Sequence, residues 1–155
     1  MANGIRLRVN SNRENPKVFV LMAAYNGMEW VEQQVSSILY QKDVDIKLIV
    51  SVDLSTDATF QWFQNLSKLD SRVSILPYGE KFGGAAKNFF RLIRDADFSF
   101  FDYIALSDQD DIWDSGKLQH AIRIIEQDDL DGYSSDVIAF WSNGREKLVK
   151  KSFPQ

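Results

Sequence analysis

Ser107-Asp108-Gln109-Asp110-Asp111-Ile112-Trp113 is the stretch of this chain best suited to chemistry, with three carboxylates inside four residues. It directly follows Tyr103-Ile104-Ala105-Leu106, an apolar run that reads as a buried strand. Carboxylates packed at the end of a buried strand repel one another and resist desolvation. A cation relieves both problems. Asp108-x-Asp110 places two oxygen ligands on one side of an extended segment, because side chains alternate with period two. Hard oxygen donors suit Mg²⁺ or Mn²⁺, which are usually bound together with substrate phosphates. The competing reading is that these acids cap the following helix. It accounts for Asp114 and in part for Asp111, but not for Asp108 and Asp110 at the strand end.

Other residues converge on the same chemistry. Asp53 follows the apolar run Ile46-Lys47-Leu48-Ile49-Val50-Ser51-Val52 and is placed either to accept from a ribose hydroxyl or base N–H, or to close a local turn with Ser55, Thr56 and Asp57. Tyr25 ends the first apolar run, where its ring stacks on a base or packs at the core edge. Lys81, Lys87 and Arg91 surround Gly83-Gly84, where a helix start offers backbone donors to a diphosphate. For Arg91 a solvated helix face is the preferred reading. Gly83-Gly84 fits neither the P-loop nor the dinucleotide fingerprint. His120, the only histidine, lies within a helical pattern and reads as structural or exposed.

The elements that must position these groups alternate. Strands are expected at 18–24, 46–52, 72–76 and 103–107, and helices at 29–40, from the 55–57 cap to about 69, 85–96 and 115–127. Ser55-Thr56-Asp57 supplies cap chemistry for the second helix, and Asp114 or Ser115 for the fourth. Val137-Ile138-Ala139-Phe140-Trp141 and 146–149 flank Asn143-Gly144, a hairpin signal. Four strand–helix units predict an α/β domain with a mainly parallel sheet, ending in a β-hairpin. Such sheets bind ligands beyond the carboxyl ends of their strands, and Ala24, Tyr25, Asp53 and Asp108–Asp111 all fall there.

Composition narrows the class. With 155 residues, 45% of them hydrophobic, the chain can bury one real core. A net charge of −4 gives no global nucleic-acid footprint. Without cysteine there is no disulfide and no thiolate site. No apolar run approaches the ~20 residues that span a bilayer. Residues 1–16 read as a loosely ordered leader without a secretory signal. A cytoplasmic protein is expected. The basic tail of Arg145, Lys147, Lys150 and Lys151 is either solvated or a peripheral contact to the inner face of a membrane.

Taken together, Val20-Leu21-Met22-Ala23-Ala24-Tyr25-Asn26-Gly27, Ser51-Val52-Asp53-Leu54-Ser55-Thr56-Asp57-Ala58-Thr59, Lys81-Phe82-Gly83-Gly84-Ala85-Ala86-Lys87-Asn88, Ser107-Asp108-Gln109-Asp110-Asp111-Ile112-Trp113 and Lys117-Leu118 resemble the nucleotide-binding half of a family 2 glycosyltransferase with the GT-A, Rossmann-like fold. Asp-Gln-Asp-Asp-Ile-Trp is similar to the rhamnosyltransferase-like branch of bacterial surface-polysaccharide synthesis. The resemblance covers about residues 17–150. It implies sugar transfer from a nucleoside-diphosphate donor, dTDP- or UDP-linked, to a saccharide or lipid-linked saccharide hydroxyl. By resemblance, Ala24 and Tyr25 line the base pocket and Asp53 binds base or ribose. Lys87 lies near the diphosphate, and Asp108 and Asp110 hold Mn²⁺ or Mg²⁺. Val52 replaces the first of two acids common after the second strand. Residues 17–155 are then the donor-binding domain, stopping before the acceptor-binding half. The catalytic base of inverting members sits in that half, and no catalytic residue is assigned here. Asp136 and Glu146 match no base motif.

Two other classes compete. One is a non-catalytic nucleotide-binding or interaction module with the same fold, which stable monomeric folding favours; self-association through exposed apolar surface is instead expected of a donor-binding half without its acceptor-binding half. The other is a phosphoryl-transfer enzyme. It needs a nucleophilic Asp after the first strand, and Ala23-Ala24-Tyr25-Asn26 has none.

Overall fold

A computed structural model describes residues 14–150. The expected leader falls largely outside this range, as does Lys151 of the basic tail. Ten elements follow one another: β1 (Lys17–Ala24), α1 (Val31–Leu39), β2 (Asp45–Val52), α2 (Thr59–Leu69), β3 (Val73–Ile75), α3 (Ala85–Asp95), β4 (Tyr103–Ser107), α4 (Lys117–Asp128), β5 (Val137–Phe140) and β6 (Glu146–Val149). The expected mainly parallel α/β sheet with a terminal hairpin is what forms.

β1 is a continuous apolar run because both of its faces are covered. Seven of its eight residues are buried, the pattern of a central parallel strand. It pairs in parallel with β2 along its whole length and with β4 from Val18↔Tyr103 to Met22↔Ser107. β3 extends the sheet beyond β2, giving the order β3-β2-β1-β4. The chain therefore builds outward from β1 to β3, then returns across β1 to place β4. The reversal opens a crevice at the carboxyl ends of β1 and β4, where parallel sheets bind ligands.

Alternate side chains enter two cores. Val18, Val20, Met22, Leu48 and Val50 meet Val31, Val35 and Ile38 of α1, Phe63 of α2, and Leu118 and Ile122 of α4. Phe19, Leu21, Ala23 and Ile49 meet Leu92 of α3, with Phe89, Phe98 and Phe101 closing the edge. The Phe19 and Phe101 rings stack at 4.4 Å.

Several sequence expectations change. The run before the acidic motif is not a fully buried strand: Ile104 and Leu106 are 52% and 56% exposed. β4 is an edge of this sheet, and α3 lies over β1 and β2 rather than over β4. α4 begins at Lys117, not 115, because Asp114 Oδ1 accepts the Gly116 N–H at 2.9 Å and makes a turn instead of a cap. α2 begins at Thr59, although Asp57 Oδ1 still accepts the Thr59 N–H at 3.0 Å. The hairpin turn spans 142–144 rather than Asn143-Gly144 alone. Trp141 N–H donates to Arg145 O at 2.9 Å and Gly144 takes φ of 79°, the longer turn that ends in a left-handed residue.

Packing sets the first prediction. Phe63 is fully buried, so Phe63→Ala is expected to cost about 3–5 kcal/mol in denaturant unfolding. Leu69→Ser, at an 85% exposed position one turn and a half on, is expected to stay within about 0.5 kcal/mol.

Candidate functional site

A cavity of about 520 Å³ lies at the carboxyl edge of the sheet, lined by Ala23, Ala24, Tyr25, Asp53, Lys81, Gly83, Gly84, Ala85, Asn88, Asp108, Gln109 and Asp110. Three loops, after β1, β2 and β4, meet the start of α3 there. Of the residues singled out from sequence, Ala24, Tyr25, Asp53, Asp108 and Asp110 are brought together. Lys87 stands exposed on α3, and Lys81 lines the cavity. His120 lies on α4 against Arg123 and the Tyr133 ring.

The loop after β1 is fixed by side chains from its neighbours. Past the strand end its N–H groups lose their ladder partners, and each needs another acceptor. Tyr25 N–H donates to Gln109 Oε1 at 2.7 Å, and Asn26 N–H to Ser55 Oγ at 3.1 Å. Gly27 N–H donates to Thr59 Oγ1 at 2.8 Å, and Met28 N–H to Asp57 Oδ2 at 3.1 Å. Thr56 N–H returns a bond to Asn26 Oδ1 at 2.8 Å.

Asp53 is a latch for the segment before α3. It is 4% exposed. Its Oδ1 accepts from Leu54 and Phe82 N–H, both at 2.8 Å, and its Oδ2 from Gly83 N–H at 2.9 Å. Burial works against its charged form. Donation from the Phe82, Gly83, Leu54 and Gly84 N–H groups outweighs that and holds its carboxyl below the ordinary range. The latch bends 82–84 through Gly83 at φ of 72° and Gly84 at φ of 156°, conformations that side chains resist. α3 then starts with no side-chain cap, so its first N–H groups are free for a ligand anion.

Arg91 corrects the expectation of a solvated face. It is 6% exposed, because the inward side of α3 carries Asn88, Arg91 and Leu92. Its guanidinium donates to Ser51 Oγ at 3.0 Å and to Pro77 O, and lies 4.8 Å from the centre of the Phe82 ring. It braces the 77–82 loop from below. Asn88 donates to Ser51 O at 2.9 Å, leaving its Oδ1 buried at the cavity wall without a partner.

The acidic loop is stitched to α1. Gln34 Nε2 donates to Ser107 Oγ at 2.7 Å and to Asp108 O at 3.3 Å. Trp113 N–H donates to Ser37 Oγ at 3.0 Å. Gln41 Nε2 donates to Asp114 O at 2.6 Å and its Oε1 accepts Leu118 N–H at 3.0 Å. Sequence periodicity missed Gln34, Ser37 and Gln41. A polar residue next to an apolar stripe reads as solvent-facing, and only the buried state of Gln34 reveals its task. Burial, then the Asp110 charge, pushes the Asp108 carboxyl up; burial and the Asp108 and Asp110 charges push Asp111 up against the pull of Lys117.

Among the described residues no group of three or more His, Cys, Asp or Glu is arranged to hold a metal unaided. Asp108 and Asp110 fit a divalent ion that takes its remaining ligands from phosphate and water, since Mg²⁺ is commonly bound by one or two carboxylates plus substrate phosphates. Two hard oxygen donors with unrelieved repulsion at a cavity mouth match that donor set. No helix among the described residues is long and apolar enough to cross a membrane.

The Asp53 latch gives a signed pH effect. A depressed carboxyl contributes stability above its ordinary range and loses it as pH falls through the folded-state value. Asp53→Asn is expected to cost about 1–3 kcal/mol at neutral pH in denaturant unfolding. The gap to the parent protein should narrow under acid conditions.

Comparison with known proteins agrees with this architecture. Residues 19–152 match Glycosyl transferase family 2. The dTDP-rhamnosyl transferase RfbG of Shigella flexneri is 48% identical over 135 residues, covering 86% of this chain and 47% of the relative. S. aureus TarS 1–349 in complex with UDP-GlcNAc superposes with a TM-score of 0.60 at 17% identity, covering 83% of this chain and 41% of that one. The mannosyltransferase PcManGT from Pyrobaculum calidifontis, in complex with GDP-Man and Mn²⁺, does so with a TM-score of 0.61 at 20% identity, covering 72% and 32%. The chain spans about half the length of the curated relatives it matches. The chain belongs to glycosyl transferase family 2.

Proposed function

We propose that this chain forms the donor-binding half of a glycosyltransferase that takes a nucleoside-diphosphate sugar, dTDP- or UDP-linked, for bacterial surface-polysaccharide synthesis. The observation that carries the reading is one cavity holding an aromatic at the end of β1, an uncapped helix start and a carboxylate pair. A nucleoside diphosphate needs those three environments. The similarity to a dTDP-rhamnosyl transferase supports the choice of donor.

In this reading Tyr25, half exposed, gives the base a face to stack on, and Ala23 and Ala24 keep the strand end open to it. Asp53 supplies negative charge on the base or ribose side while its oxygens hold the Phe82–Gly84 bend. The free N–H groups of α3 and the ammonium of Lys81 face the diphosphate. Lys87, exposed on α3, is within the same field and adds a screened attraction. Asp108 and Asp110 would hold Mn²⁺ or Mg²⁺, which when bound neutralises charge developing on the leaving diphosphate. The acceptor is a saccharide or lipid-linked saccharide hydroxyl, brought by sequence beyond the cavity described here. Action at the inner membrane face, with the basic 145–150 segment touching lipid headgroups, fits a lipid-linked acceptor.

A second reading, donor binding without transfer, is favoured by the acids that line the cavity. They are Asp53, Asp108 and Asp110, and each already has a task. An inverting transfer also needs a base to take the acceptor proton. Alone, this chain is therefore expected to bind the donor and hydrolyse it slowly at most.

Isothermal titration with dTDP and UDP, each with and without Mn²⁺, tests the proposal. Metal is expected to tighten binding of at least one by about tenfold or more, and Asp110→Ala to remove that gain. Equal binding with and without metal, or a gain that survives in Asp110→Ala, would overturn the metal assignment.

A companion variant separates stability from function. Because the folded state raises the Asp108 carboxyl, ionised Asp108 works against folding once pH exceeds its titration range. Asp108→Asn is expected to raise ligand-free stability at neutral pH by less than about 1 kcal/mol, solvent screening limiting the gain. That gain should vanish in acid, and metal-dependent nucleotide binding should be lost throughout.

A further inference from the structure

We propose that Gln109 is a positioning residue that locks the loop after β1 to the loop after β4, setting the spacing between the base side of the cavity and the Asp108–Asp110 pair. The inference rests on the donor-binding reading above.

The β1–β4 ladder ends at Met22↔Ser107, so no β4 backbone group reaches Tyr25. The Gln109 carboxamide takes that place. Its Oε1 accepts the Tyr25 N–H at 2.7 Å and its Nε2 donates to Tyr25 O at 2.9 Å. A primary amide both donates and accepts, so it closes the two-bond ring that a peptide group makes in a sheet. A carboxylate lacks the donor, a thioether lacks the donor and accepts only weakly, and Asn holds the same amide on a shorter arm.

Gly27 supplies the space. A Cβ there would sit 2.3 Å from Gln109 Oε1 and 2.7 Å from its Cδ. Gly27 cannot retreat, because its N–H is held by Thr59 Oγ1 at 2.8 Å and its carbonyl accepts from Trp30 and Val31 N–H at 2.9 and 3.0 Å. The amide is gripped between fixed backbone on one side and Tyr25 on the other.

Asp108 and Asp110 flank Gln109 in the chain, while Tyr25 flanks the base side. Any slip of the clamp moves the carboxylate pair relative to the aromatic ring. A nucleotide held only at its base is indifferent to that slip. One held at both base and metal-bound diphosphate spans a fixed length and is not. The clamp therefore governs the coupling between metal and nucleotide more than affinity for either alone.

The experiment is a linked titration of dTDP and UDP, with and without Mn²⁺, on the parent chain, Gln109→Met, Gly27→Ala, Gln109→Ala and Gly27→Ala/Gln109→Ala. Amide hydrogen exchange at Tyr25 reports the clamp without ligand. In Gln109→Met, Tyr25 N–H is expected to lose protection. The Mn²⁺-dependent gain should fall about tenfold or more, a larger change than any in metal-free nucleotide affinity. Gly27→Ala should reproduce that loss in the parent chain, yet add less in the Gln109→Ala background, where the nearest group it strikes is gone and Val31 Cγ1 at 3.0 Å remains. A full Mn²⁺-dependent gain in Gln109→Met with Tyr25 protection lost overturns this inference alone, as does strict additivity of Gly27→Ala and Gln109→Ala. A parent chain that binds no nucleotide with metal overturns the donor-binding reading and the inference with it. If Gln109→Met does not fold, Gln109→Asn carries the same test, judged on the same gain.

Discussion

Four consecutive backbone N–H groups, Tyr25 through Met28, find their acceptors on side chains from other loops. The rest of the site depends on this arrangement. β1 is buried on both faces and paired with β2 to its last residue and with β4 as far as Met22, so its carboxyl end is firmly placed in the sheet. Where pairing stops, a buried N–H such as that of Gly27 must be satisfied or pay a desolvation cost of about 1–3 kcal/mol. Ser55 and Asp57 come from the loop after β2, Thr59 from the start of α2, and Gln109 from the loop after β4. Hydrogen bonding beyond the end of β1 thus draws three segments onto one hub.

The same economy of partners shapes the electrostatics. Asp53 and Arg91 are both nearly buried, yet they are not paired with each other in an ion pair. The carboxylate accepts backbone N–H groups of 54, 82 and 83, and the guanidinium donates to Ser51 and the Pro77 carbonyl. Each serves unsatisfied groups of the 77–84 segment, one from the front and one from beneath. Two opposite charges placed this way hold an irregular segment at the mouth of α3, where regular structure would close off the helix start that a ligand anion needs.

The strands, the parallel sheet and the acidic motif were legible because their signals are local. A run such as Val18–Ala24 declares a strand buried on both faces, and Asp108-Gln109-Asp110-Asp111 declares crowded charge. What escaped was set by distance along the chain. Gln34 works on residues 73 and 74 positions away, and Gln109 on Tyr25, 84 positions away. Nothing within a helical period distinguishes Gln34 from Gln33, although the first is fully buried and the second exposed. Arg91 was misjudged for the same reason, since the carbonyl and hydroxyl it serves lie on other elements. The exposure of Ile104 and Leu106 was hidden too, because apolar content alone does not say whether a strand is central or at an edge.

The backbone of the acidic loop is held by amides and hydroxyls, while Lys117 meets it through the Trp113 ring at 5.1 Å, and this choice has a consequence. Among the described residues the ion pairs involve Asp70 and Asp95, away from Asp108–Asp111. Gln34 and Gln41 bind the loop through its carbonyls and an N–H, and Ser37 through the Trp113 N–H. A lysine or arginine in those places would hold the loop equally well by geometry. It would also neutralise the carboxylates and compete with any cation that approaches them. Neutral donors satisfy the buried backbone while leaving the field of Asp108 and Asp110 intact. The cost is visible in the upward push on Asp108 and Asp111. Under the proposed reading, a cation bound at Asp108 and Asp110 would relieve that push.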